Sequence, residues 1–137
     1  MQALRERFGP AYEQPTAVPL LTPGCNLPAK TVIHVVGPIV EYRLTARHER
    51  ELADCCRNVL SLCEERGLRT VAFCCISTGV FRFPPDRAAK ITVETVTDWL
   101  SAHPDTVDRV IFNVFSGAGL ARCEAMLKQR CFRNLQR

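Results

Sequence analysis

No apolar run in the chain approaches the ~18 residues a membrane span requires, and the first ten residues, MQALRERFGP, carry charges where an export leader would be greasy. Both argue against insertion or secretion, so the expectation is a cytoplasmic protein with no membrane partner. Basic runs of the kind that track a nucleic-acid backbone are also missing. The 18 Lys and Arg against 14 Asp and Glu leave a formal charge of +4, which suits an anionic ligand and argues against a nucleic-acid partner. The eight cysteines include no C-x-x-C and no Cys/His spacing typical of tetrahedral zinc. They read as reduced thiols packed as small hydrophobes, and no metal site is expected within this chain. Repeats and low-complexity tracts are absent too, and 137 residues allow one domain with a core of its own.

What remains has ordinary α/β composition, 47% apolar and 23% charged. Residues 1–30 hold five of the nine prolines and no sustained periodicity, so residues 1–20 read as an irregular segment with one short helix near residues 2–7. From Thr31 the pattern sharpens. Thr31 to Val36 is a β-branched run closed by Gly37-Pro38, a buried strand ending in a turn. Thr45 then offers a helix N-cap, Leu52, Cys56, Val59, Leu60 and Cys63 recur at helical spacing, and Gly67 stands at the stop.

Arg69 to Ile76 follows as a strand of the kind buried on both faces of a parallel sheet. Ala88, Ala89, Thr92, Val93, Val96, Trp99 and Leu100 mark a second helical stripe, Val110 to Phe115 a third strand, and Leu120, Cys123, Leu127 and Cys131 the inner face of a last helix. Strands and helices alternating in this way imply parallel crossovers with helices on both faces of a sheet.

Between the second strand and second helix lies CCISTGVFRFPPD, where an apolar run stops abruptly at Ser77-Thr78-Gly79. Ligands of open α/β sheets gather beyond the carboxyl ends of the strands. Main-chain amides turned to one point there, beside a helix N-terminus, favour phosphate. Gly79 would allow either a positive φ or close approach of a ligand. Pro85 and Asp86 suit a first helical turn. The corner therefore serves either a phosphate or a tight structural turn, and Phe115 at the end of the third strand serves either a base or the core. His34 reads as a strand histidine satisfied by a hydrogen bond, and Asp54, Glu64 and Glu65 as solvated helix charges.

Four segments in order, Thr22 to Lys30, Val32 to Pro38, Cys75 to Pro84 and Val110 to Phe115, resemble the macrodomain family over about Leu21 to Lys128. The spelling Phe73-Cys74-Cys75-Ile76-Ser77-Thr78-Gly79 is most similar to the bacterial zinc-dependent protein-ADP-ribose hydrolase branch. The resemblance implies a three-layer α/β/α fold with an ADP-ribose pocket across the carboxyl ends of the strands. The loop Ser77, Thr78, Gly79, Val80 and Phe81 would hold phosphate and ribose, and Phe115 would lie against adenine. The implied partners are ADP-ribose and ADP-ribosylated protein.

The family's first two strands, with their Asn-Ala-Ala-Asn segment and glycine-rich loop, find no counterpart, since asparagine occurs only at positions 26, 58, 113 and 134. Nor does the Cys/His/Cys cluster that implies zinc in the full-length members. Cys25 also stands where the family commonly has a bulkier aromatic. The expectation is a partial macrodomain over residues 21–137, with an incomplete sheet of about three main strands and hydrolysis impaired or lost. The alternatives are a non-catalytic ADP-ribose or nucleotide-binding module, or an inactive fragment that self-associates through an open sheet edge.

Overall fold

A computed structural model describes residues 2–135, and the side chains of residues 5–130. The elements run α1 (Gln2–Phe8), β1 (Leu20–Pro23), β2 (Thr31–His34), α2 (Ala46–Glu65), β3 (Thr70–Phe73), α3 (Pro85–Ala102), β4 (Arg109–Phe112) and α4 (Gly117–Leu135). The arrangement is the expected three-layer α/β/α type, with its sheet divided into two ladders. β3 and β4, joined by the α3 crossover, pair in parallel from Thr70 opposite Arg109 to Phe73 opposite Phe112. β1 and β2 form a separate antiparallel pair from Leu20 opposite His34 to Pro23 opposite Thr31.

Helix α2 starts where its cap dictates. The Thr45 hydroxyl accepts the His48 N–H at 3.4 Å, and the Thr45 N–H donates to His48 Nδ1 at 3.2 Å, a reciprocal box with imidazole in place of the usual carboxylate. It ends before Gly67, whose φ of 64° supplies the left-handed stop. Its stripe of Cys56, Val59, Leu60 and Cys63 packs with Val96 and Trp99 of α3 against Phe73, with Ile33 and Val35 leaning on the same cluster. The two ladders therefore share a core without sharing a hydrogen-bond ladder.

Three differences from the sequence reading have physical causes. Leu20–Pro23 is a strand although it lies in a proline-rich stretch. Its prolines stand at or just outside its ends, and it belongs to an edge of the sheet, where a missing donor costs least. β3 is buried on one face only: Phe73 is 4% exposed, while Thr70 and Ala72 face solvent. Leu120, assigned to the inner face of the last helix, is exposed, whereas Cys123 and Leu127 are half-buried. The Cys131 side chain lies outside the described residues.

The thiols divide by burial. Cys55, Cys56 and Cys63 are fully buried, and all seven described cysteines are free. Burial disfavours the thiolate, pushing Cys55 up to about 12 and Cys56 to about 11 from an ordinary 9.0, with Cys63 also raised. Between those values the unfolded chain gives up thiol protons that the folded chain keeps, so stability is full below pH 9 and lost as pH rises toward 12. The melting temperature is expected to fall across that window, and a level value there would show that the fold does not hold these thiols neutral.

Candidate functional site

β3 leaves its ladder at Phe73, whose carbonyl accepts the Asn113 N–H at 2.8 Å. The chain then turns at once. Cys74 O accepts from Ile76 N–H at 2.9 Å, and Cys75 O accepts from both the N–H and the hydroxyl of Thr78, at 3.5 and 3.1 Å. Three bonds close the loop that follows: Phe83 N–H to Ser77 O and Arg82 N–H to Gly79 O, each 3.0 Å, and Val40 N–H to Phe81 O at 2.9 Å. Phe83, only 1% exposed, anchors it among Val40, Leu52 and Ala88.

The bonds within the loop leave the N–H groups of Ser77, Gly79, Val80 and Phe81 without an acceptor among the described residues. Three of the four are consecutive. Gly79 is exposed, and a Cβ placed on it would meet nothing within 4 Å. The left-handed conformations of the corner belong instead to Ser77 (φ 62°) and Arg82 (φ 57°). Of the two roles open to Gly79, a positive φ is therefore ruled out, and space for a close approach is what it provides. Val80 is 91% exposed beside it.

Gly37, read from sequence only as the residue closing β2, has a second role. A Cβ there would fall 2.2 Å from Ser77 Oγ and 2.5 Å from Ile76 Cγ2, so a side chain would drive the exit of β2 away from the loop. The sequence signal was present in Gly37-Pro38, but nothing local says which distant segment presses on it. Ser77 Oγ itself is buried there without a hydrogen-bond partner.

Helix α3 begins at Pro85 with no side-chain cap, and Asp86 in its first turn pairs with Arg122 of α4. Between this helix start and the ends of β3 and β4 lies a mostly apolar hollow of about 60 Å³, lined by Phe73, Cys75, Thr78, Ala89, Phe112 and Cys123 among others. A pocket enclosing a drug-sized ligand needs about 300 to 1,000 Å³, so this hollow does not by itself enclose a ligand of that size. Phe115, which sequence left between core and ligand, is fully solvent-exposed, and the core alternative is excluded for its ring. His34 is hydrogen-bonded within the β1–β2 pair, as read from the sequence. Its Nε2 lies 2.8 Å from Thr22 Oγ1 across the β1–β2 pair, and partial burial lowers its pKa.

Among the described residues, no group of three or more His, Cys, Asp or Glu side chains stands close enough to hold a metal ion. The described donor set does not fit the zinc that the resemblance implies for full-length members.

Residues 1–92 match the Macro domain family, which includes the first 20 residues that the motifs did not reach. The chain is a macrodomain. It is 49% identical over 105 residues to a protein-ADP-ribose hydrolase of Treponema medium, covering 77% of this chain and 40% of that protein. It is 46% identical over 95 residues to the human ADP-ribose glycohydrolase MACROD2, covering 69% of this chain and 22% of that one. A mutant Oceanobacillus iheyensis macrodomain solved with ADPR superposes on 95% of this chain and is itself 68% covered, with a TM-score of 0.84 at 33% identity. This macrodomain thus spans less than half the length of the curated relatives it matches.

Proposed function

We propose that this macrodomain binds ADP-ribose, free or attached to protein, and that its hydrolysis of the linkage is impaired or lost. The observation that carries binding is the row of unpartnered N–H groups at Gly79, Val80 and Phe81, on an exposed loop with open space before Gly79. Such amides give a diphosphate charge-assisted hydrogen bonds without a lysine or arginine. Ser77 and Thr78 belong to the same loop and would border the ribose, and Phe115 offers a free ring for adenine. The relatives support the ligand: one is named for hydrolysing ADP-ribose from protein, and one neighbour was solved with ADPR.

Loss of turnover is supported by the donor inventory. None of the asparagines stands in an Asn-Ala-Ala-Asn segment. Asn58 donates to Ala17 O at 2.8 Å, far from the loop in sequence and engaged in packing the N-terminal segment. A reducing, cytoplasmic setting belongs to the same proposal, supported by the free thiols.

Calorimetric titration with ADP-ribose is expected to saturate at one site per chain, and incubation with ADP-ribosylated protein to release little or no ADP-ribose. Absence of any heat would overturn the binding, and efficient release would overturn the loss of turnover. Phe115→Ala is expected to weaken ADP-ribose binding about tenfold or more, since stacking on one base contributes about 1 to 3 kcal/mol. Affinity for ribose 5-phosphate and the melting temperature should not change, because the ring has no packing to lose. Equal losses for both ligands would take the ring away from the adenine.

A further inference from the structure

We propose that Arg82 supplies the positive charge of the ADP-ribose site, its guanidinium pairing with the diphosphate that the amides of Gly79, Val80 and Phe81 orient. This role rests on the reading that ADP-ribose binds at the loop, and it adds a side chain to a contact otherwise made by the backbone.

Two main-chain bonds hold Arg82 in place. Its own N–H donates to Gly79 O, and the N–H of the next residue, Phe83, donates to Ser77 O, each at 3.0 Å. The Phe83 ring, 1% exposed, fixes that end of the loop in the core. The first bond makes Gly79 to Arg82 a turn of the kind whose end Cα atoms approach within about 7 Å, a span that an arginine side chain covers. Arg82 is exposed between Phe81 and the buried Phe83, so the space before Gly79 lies within its reach.

The backbone at this position does not suit its residue type. The φ of 57° at Arg82 lies in the left-handed region, which glycine enters readily and residues with a Cβ seldom do. A glycine would close the same turn without strain. Local conflicts of this kind collect at binding segments, where the side chain serves the ligand rather than the fold.

Other charges near the corner are already engaged. Arg87 of α3 pairs with Glu49 of α2, and Arg122 of α4 pairs with Asp86 of α3. Asp86, four residues along the chain from Arg82, is thereby taken up by another guanidinium. Among the described residues, the Arg82 side chain has no ion-pair or hydrogen-bond partner. Its charge is left unneutralised beside the amides.

Amides and guanidinium then act on different properties of the ligand. The amides carry partial charges and set direction, whereas the planar fork of an arginine brings a full charge and two parallel donors. A diphosphate has free oxygens on both phosphorus atoms, so it can meet both sets of donors at once.

Titration calorimetry of the full chain with ADP-ribose at about 0.1 M and about 1 M salt tests the role, because the screening length falls from about 10 Å to about 3 Å over that range. Arg82→Ala is expected to weaken binding about tenfold at the lower salt, the loss of one hydrogen-bonded charge, and to remove most of the salt dependence of the unaltered chain. Its melting temperature should not change, since alanine keeps a Cβ at the same φ and the side chain removed is exposed. Arg82→Lys, which keeps the charge, should restore the salt dependence and part of the affinity. Unaltered affinity and salt dependence in Arg82→Ala would overturn the role of Arg82 while leaving ADP-ribose binding intact, and so would a loss that lysine does not reduce. No heat from the unaltered chain would overturn the binding itself, and the role of Arg82 with it.

Discussion

Gly79→Glu is expected to weaken ADP-ribose binding about a hundredfold, equivalent to about 2.7 kcal/mol, without lowering the melting temperature. The fold should tolerate the change for two reasons. Gly79 does not have a positive φ, so a side chain brings no backbone strain, and a Cβ there meets no atom within 4 Å. The same open space is where the proposed diphosphate lies. A carboxylate entering it meets like charge at short range, and even at an effective dielectric of 20 two unit charges 4 Å apart repel by about 4 kcal/mol. Gly79→Ala, adding volume without charge, should cost much less. The check is titration calorimetry beside a thermal melt. Unchanged affinity in the glutamate variant would place the diphosphate elsewhere, while a lowered melting temperature would mean that the space before Gly79 is used by the fold.

Phe83→Ala should have the converse signature, a loss of stability first and of affinity as its consequence. Phe83 is the largest of the fully buried side chains and joins Val40 before α2, Leu52 within it and Ala88 of α3 in one cluster. Truncating a buried phenylalanine typically costs about 3 to 5 kcal/mol, through lost transfer energy and the cavity left behind. Against a total of roughly 5 to 15 kcal/mol, that is enough to bring the chain close to its folding threshold. Its N–H to Ser77 O bond also closes the corner, so the surviving folded fraction should hold Gly79 to Phe81 less firmly. Urea denaturation checks the first effect, and a loss under about 1 kcal/mol would show that the loop is anchored elsewhere.

The contrast between these two residues marks what the sequence could express. Helix α2 was legible residue by residue, because Thr45, the stripe ending at Cys63 and Gly67 are local signals whose meaning does not depend on distant partners. The corner was legible as a place: Ser77-Thr78-Gly79 breaks an apolar run, and the structure turns there. Its internal assignment was not. The left-handed residues are Ser77 and Arg82 rather than the glycine, because the bonds from Phe83 to Ser77 and from Arg82 to Gly79 fix the turn from within. β1 escaped notice because its prolines mask a short edge strand, and the one-sided burial of β3 could not be read from an apolar spelling that suits either case. Phe115 shows the limit most directly, since an aromatic at a strand end reads the same whether the core covers it or solvent does.

The division of the sheet bears on how the molecule opens. β1 and β2 are neighbours in sequence and pair with each other, while β3 and β4 pair across the α3 crossover. No strand ladder joins the first pair to the second: they are tied by Ile33 and Val35 packing against the α2–α3 cluster and, beyond the end of β2, by the Val40 N–H to Phe81 O bond. Such a joint has few directional bonds to break in concert compared with a ladder, so the N-terminal hairpin should come apart by itself at a lower free energy than the rest, as a separate cooperative unit. Thermal motion would then loosen Gly37, and with it the support behind Ser77, well before the domain as a whole unfolds.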